Sequence, residues 1–140
     1  DIYDVLNSIF TQAIEENLRD VAEGGSFYEE YIKAASLLVQ YRDVVIHVYN
    51  SKNRDIVTNY LERLTAEIVR GYIARKSEGQ NISDKDLEFI SYFYSYAIIG
   101  STYKWIESGM KADFKHFIGK IADSIDATLP VMISKAGKAD

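Results

Sequence analysis

No cysteine occurs among the 140 residues, so the chain has no disulfide framework, no thiolate metal ligand and no cysteine nucleophile. That usage is compatible with a reducing compartment. Proline is nearly as scarce, with Pro130 standing alone. Long apolar runs are missing too. The longest stretch without a charged residue, Phe89 to Tyr103, has 15 residues and includes Ser91, Ser95, Gly100, Ser101 and Thr102. A membrane-spanning helix needs about 20 apolar residues, so this stretch reads as a buried helix. Basic charge is in deficit: 16 Lys and Arg against 21 Asp and Glu leave a net charge of −5. That is the wrong sign for a domain that grips nucleic-acid phosphate, and this stretch alone is not expected to bind DNA. The sequence opens on Asp1 with no basic, apolar leader, so no signal peptide is expected, and the lack of an initiator Met points to a fragment or a processed chain.

What is present suits one packed domain. Hydrophobic residues make up 47% and charged residues 26%, enough apolar side chain to offset chain entropy, which excludes wholesale disorder. Aromatics are skewed, with 11 tyrosines against six phenylalanines and one tryptophan.

Apolar spacing of three and four predicts helices throughout. Val5, Leu6, Ile9, Phe10, Ala13, Ile14, Leu18 and Val21 form a first stripe ending at Gly24-Gly25, opposite Glu15, Glu16, Arg19 and Asp20. Ser26 with Glu29 three residues on makes a capping box for a second helix through Tyr28, Tyr31, Ile32, Ala35, Leu38 and Val39. The β-branched run from Val44 to Tyr49 resembles a strand, but no partner strand exists, so a short helix is expected. The stripe from Ile56 to Ile73 has the cleanest period and fades into Arg75-Lys76-Ser77-Glu78-Gly79. Ser83 starts a helix running to Ser108, with Gly109 as its left-handed stop. That helix is apolar almost all round, which predicts cover on several sides. The last helix follows Asp113, with Pro130 expected to bend or break it and the tail from Ser134 expected to fray. The fold class is therefore all-α, one helical bundle of about six helices.

Sites for metal or acid–base chemistry are poorly supplied. A di-iron bundle needs Glu-x-x-His on two helices, and neither His47 nor His116 has a Glu three residues before it. Asp113 reads more simply as an N-cap. His47, in an apolar run, is either a hydrogen-bonded core or pocket residue or a ligand contact. No nucleophile elbow and no glycine-rich loop after a strand is present. Glu15-Glu16 and Glu29-Glu30 are helix neighbours pointing about 100° apart, toward solvent. No metal, no cofactor and no enzymatic activity are expected. The tyrosines carry more: Tyr92, Tyr94, Tyr96 and Tyr103 share one helix with Phe89, Phe93 and Trp105. Four phenols are awkward in a dry core because each hydroxyl wants a partner. A wet or ligand-filled cavity, or a subunit interface, resolves this, while plain core packing stays open for any one of them.

The segment Tyr92 to Met110, Y-F-Y-S-Y-A-I-I-G-S-T-Y-K-W-I-E-S-G-M, resembles the penultimate helix of TetR-family transcriptional regulators, in the subgroup carrying G-x-x-x-x-W-x-x-x-G-M. Gly100, Trp105, Gly109 and Met110 match that pattern. The helix order along nearly the whole chain is also similar to that family. After the Gly-Met pair the family often has Ser-Pro, where this chain has Lys111-Ala112-Asp113. The resemblance implies the effector-binding and homodimerising domain of a cytoplasmic regulator, with the DNA-reading helix-turn-helix absent from this sequence. In that layout residues 1–24 connect toward the DNA-binding head and residues 83–134 form the dimer helices. Tyr31, His47, Tyr60, Tyr92 and Tyr96 are then candidates to line a pocket for a small-molecule effector, chosen for aromatic bodies with polar tips facing inward. Tyr103, Phe117, Ile118, Ile121 and Ile125 are candidates for the dimer interface. The partners expected are a second copy, an unidentified effector and, through the absent domain, DNA; no membrane is expected. A helical protein-interaction module without a pocket, or a small bundle enzyme using His47 or a tyrosine, are the competing readings.

Overall fold

The computed structural model describes the backbone of residues 1–20 and 25–137, and the side chains of 1–16 and 25–137. Six helices follow one another: α1 (Ile2–Asp20), α2 (Phe27–Gln40), α3 (Arg42–Tyr49), α4 (Asp55–Lys76), α5 (Asp84–Glu107) and α6 (Phe114–Gly137). No strand occurs among the described residues. The side chains of Leu18, Arg19, Asp20 and Val21 and the expected stop at Gly24 lie outside them.

Helix starts follow the expected chemistry. The Ser26 hydroxyl accepts from the Glu29 amide at 3.1 Å, and the Ser83 hydroxyl does the same for Asp86 at 3.1 Å. Asp113 caps α6 by accepting from the His116 amide at 3.0 Å. The β-branched run is helical, as expected: α3 pairs its backbone internally and buries Val45, Val48 and Tyr49.

The stripe of α4 is buried from Val57 to Ile73, and α4 packs against α1, α2, α3 and α5. Phe10 of α1 stacks on Tyr60 with ring centroids 4.0 Å apart, and Phe27 of α2 stacks on Tyr31 at 5.4 Å. Val5 and Val39, placed on inward stripes by their spacing, are exposed at the stripe margins. α6 lies on α2 and α5, tied to α5 by the Tyr94 and Thr128 hydroxyls 2.6 Å apart.

The motif residues build the elbow from α5 to α6. Gly109 has φ 84, its amide donates to the Ile106 carbonyl at 2.9 Å, and the Met110 amide donates to the Trp105 carbonyl at 2.9 Å. That pair of bonds is a Schellman stop, with Met110 and Trp105, both buried, as its apolar contact. The Trp105 indole donates to the Ala112 carbonyl at 3.0 Å and stacks on Phe117 at 5.3 Å. Gly100 stands in open space, with nothing within 4 Å of where a Cβ would sit.

Two expectations for α6 are corrected. Pro130 does not break it, because the helix runs on to Gly137, and Ser134 to Gly137 are helical rather than frayed. Ile133 is buried one turn beyond the proline, so packing holds the last turns in place despite the missing amide.

Gly109→Ala forces an L-residue into the left-handed region and is expected to lower unfolding free energy by about 1–2 kcal/mol in urea titration. Pro130→Ala, on the exposed side of α6, restores a helical hydrogen bond and is expected to raise it by roughly 1–3 kcal/mol in the same experiment.

Candidate functional site

The five tyrosine and histidine candidates separate into three places. Tyr31 and Tyr60 lie in the core where α2, α4 and α5 meet. The Tyr31 hydroxyl is 3.3 Å from the Thr65 hydroxyl and 3.5 Å from that of Thr102. The Tyr60 hydroxyl donates to the Ala34 carbonyl at 3.0 Å. Burial pushes both phenols above their usual titration range, and their proximity raises Tyr60 further. His47 sits on the outer side of α3, exposed, its ring 6.4 Å from that of Tyr3 on α1.

Tyr92 and Tyr96 do not point inward, which corrects the expected orientation. The inner face of α5 is made by Ile90, Tyr94, Ile98, Thr102, Trp105 and Ile106. Positions two residues away from Tyr94 turn roughly 200° from that face. Tyr92 is 49% exposed and Tyr96 67%, and with Phe89 at 46% and Phe93 at 51% they form one uncovered aromatic row at positions i, i+3, i+4 and i+7. Ala97 and Gly100 continue the row as small exposed residues. Rings along it touch edge to face, Phe89 to Tyr92 at 5.2 Å and Tyr92 to Tyr96 at 6.3 Å. The cover expected around α5 is thus absent on this side of the single chain.

The five interface candidates are occupied within the chain. Ile118 and Ile125 are buried core residues. Phe117 stacks on Trp105, and Ile121 packs against the core half-buried. Tyr103 donates to Glu62 at 3.3 Å and lies 5.8 Å from the Tyr49 ring. Burial, followed by the Glu62 charge, pushes its phenol above the usual range.

Alongside the row, an open groove of about 590 Å³ lies between α4 and α5. Ile73, Leu87 and Ile99 give it an apolar floor, Tyr92, Tyr96, Ser91 and Ser95 line the α5 side, and Glu62 and Arg70 stand on the α4 side. Phe89, Phe93 and the groove were missed from the sequence. The row's helical spacing was visible there, whereas a groove between two helices distant in sequence leaves no local sequence signal. A smaller cleft of about 430 Å³ lies where the end of α4 meets the second half of α6, lined by Tyr72, Lys76, Gln80, Asp126 and Pro130 among others. Among the described residues, no three His, Asp or Glu side chains gather as a metal ion requires, and no helix is long and apolar enough to cross a membrane.

Fold and groove together define an all-α domain whose polar groups line a groove and brace helices. The comparison with family models agrees: the transcriptional regulator C-terminal region of the TetR type matches residues 25–127. The chain belongs to that family, and the matched span includes Trp105, Gly109 and Met110. No curated protein and no solved structure matches the chain.

The buried phenols set an alkaline limit. Tyr72 is pushed up to about 12, chiefly by burial and then by its bond to Asp126, and Tyr31, Tyr49, Tyr60 and Tyr103 are raised as well. A folded-state value above the unfolded one means that stability is intact below about pH 10 and falls as pH rises through the folded values. Unfolding free energy is therefore expected to be level near pH 9 and to drop steeply above pH 10, with the phenolate absorbance of these tyrosines appearing together with loss of helical circular dichroism. Tyr60→Phe, which removes the hydroxyl bond to the Ala34 carbonyl, is expected to cost about 1 kcal/mol in urea titration.

Proposed function

We propose that this chain is the effector-sensing, homodimerising regulatory region of a TetR-type transcriptional regulator, working in the cytoplasm, with DNA contacted by a part of the protein outside this sequence. The observation that carries the reading is the uncovered aromatic row of Phe89, Tyr92, Phe93 and Tyr96 beside the α4–α5 groove. Four half-exposed aromatic side chains in one row are an apolar patch of the kind that marks an interface. A second copy supplies the cover, the two rows meeting across a two-fold axis. The groove at the edge of that interface, with an apolar floor and a few polar groups, suits a small effector, and Tyr92 and Tyr96 serve both.

Regulation on this reading is a shift between two arrangements of the paired chains. The effector changes their balance only by binding one arrangement more tightly than the other. α3 is linked to the end of α5, since Arg42 donates to the Gly109 carbonyl at 2.6 Å and Tyr49 donates to Glu107 at 2.9 Å. A change in the tilt of α5 therefore has a direct route to α3. The alternative is a protein-interaction module in which a different protein covers the same row.

Native mass spectrometry tests the reading. The chain is expected at twice its 15.9 kDa mass. Phe93→Glu, which plants a charge in the row, is expected to give the single-chain mass with helical circular dichroism unchanged. A single-chain mass for the unmodified protein would overturn the dimer and favour the interaction module.

A further inference from the structure

The α4–α5 groove contains a buried polar group that the fold itself does not use. Ser95 is 7% exposed and lines the groove. Other helical hydroxyls in this chain bond the carbonyl one turn back: Ser101 donates to Ala97 at 2.7 Å, Thr102 to Ile98 at 2.8 Å, and Ser124 and Thr128 of α6 do likewise. Ser95 makes no such bond and its hydroxyl has no partner, and the same holds for Ser91, half-buried one turn earlier in the groove. Nor is the Ser95 oxygen sealed off, since among the described residues only Glu30 Oε2 is both closed to solvent and unpartnered. The hydroxyl therefore opens onto the groove that its residue lines.

Its surroundings select the chemistry. Ile73, Leu87 and Ile99 form the apolar floor, and the Tyr92 and Tyr96 rings stand on the α5 side. The charged residues bordering the groove, Glu62, Arg70, Asp84 and Glu88, are all exposed. Glu62 already accepts from Tyr103, and Arg70 pairs with Glu67 at 3.7 Å. A charged ligand would give up hydration on this floor with no buried counter-charge to replace it. A neutral hydroxyl loses far less and finds a partner in Ser95. Residues four apart on a helix have Cβ atoms about 5–6 Å apart, so a single oxygen between Ser91 and Ser95 can bond both hydroxyls at about 2.8 Å. A ligand hydroxyl suits that place because it donates one bond and accepts another. An apolar ring behind it rests on the floor beside the tyrosine rings.

We propose that the α4–α5 groove takes a small neutral molecule made of an apolar ring and one hydroxyl, a phenol being the simplest, with the hydroxyl held by Ser95 and Ser91. The proposal rests on the effector-sensing reading above and names the chemical class of the effector.

The test is calorimetric titration of the full chain with 4-propylphenol at neutral pH. Three controls share the propylphenyl body: 4-propylanisole, which cannot donate, 4-propylbenzoate, an anion, and 4-propylbenzylamine, a cation. The phenol is expected to bind saturably and about tenfold more tightly than each control, the factor that one hydrogen bond supplies. Ser95→Ala is expected to bring the phenol down to the level of the anisole and to leave the anisole unchanged. The same variant is expected to lose no stability in urea titration, because the hydroxyl removed has no partner in the free chain. Ala66→Leu, which fills the half-buried α4 side of the groove, is expected to abolish binding of all four probes with helical circular dichroism unchanged. Phenol binding no tighter than that of the anisole, tighter binding of either ion, or binding indifferent to Ser95→Ala would overturn the proposal. Phe93 does not line the groove, so Phe93→Glu is expected to bind the phenol as a single chain. An unmodified chain that stays single yet binds the phenol refutes the dimer alone, and a paired chain that does not bind it refutes the effector class alone.

Discussion

The packing of four helices against α4 is the constraint that orders the rest of this structure. With α1, α2, α3 and α5 packed around it, its stripe from Val57 to Ile73 meets no water, so every polar tip it buries needs an acceptor inside the protein. Tyr60 finds the Ala34 carbonyl, and Thr65 shares a hydroxyl contact with Tyr31. Those contacts tie α2 to α4, and the Tyr31 contact with Thr102 brings α5 to the same point. The buried phenols thus act as struts between helices. Both clefts described lie at the margins of α4, one between it and α5 and one where its last turn meets α6.

α5 packs against α4, α6 and α3 and is left without a neighbour along one side. Its inner face is used against α4 and α6, while the opposite face keeps four large aromatic side chains in solvent. At about 25 cal/mol per Å² of apolar surface, covering even half of each ring is worth several kcal/mol in all, the scale on which a second chain is held. Ala97 and Gly100 extend the same face with almost no side-chain height, and Gly100 has open space around it. A crossing helix can come close there without displacing anything. Large aromatic residues followed by small ones along one exposed face suit a close helix crossing, which supports the dimer proposed above.

The helices were legible in the sequence because their signals are local. Ser26, Ser83, Asp113 and Gly109 each do at their positions what the residue type predicts, and even the β-branched run of α3 was decided by the absence of a strand to pair with. The side-chain assignments were less legible because they depend on which face of a helix meets a neighbour. Tyr92 and Tyr94 are chemically alike and two positions apart, yet one is half exposed and the other buried against Thr128. Ile118 and Ile125 were drawn toward an interface by their hydrophobicity, but α2 and α5 already cover them. Pro130 misled for a related reason. Its local cost was read correctly, but the burial of Leu129 and Ile133 on either side outweighs it.

The same reasoning bears on how a bound molecule could be felt at a distance. The elbow after α5 is stiff: a Schellman stop, a stacked Trp105–Phe117 pair and an indole hydrogen bond fix its shape, and Arg42 anchors it to α3. The row and the groove, by contrast, are formed toward the other half of α5, where Tyr92 and Tyr96 are about half exposed or more and Tyr92 touches Phe89 as well as Tyr96. On the proposed reading, a change in the tilt of α5 reaches α3 through the Arg42 and Tyr49 contacts. For such a change to swing a balance from one arrangement to the other almost fully, the effector must prefer one by about 10⁴-fold, roughly 5.5 kcal/mol. In the proposed dimer the groove borders the subunit contact, so a change in the crossing of the two α5 helices would reshape both copies of the groove at once.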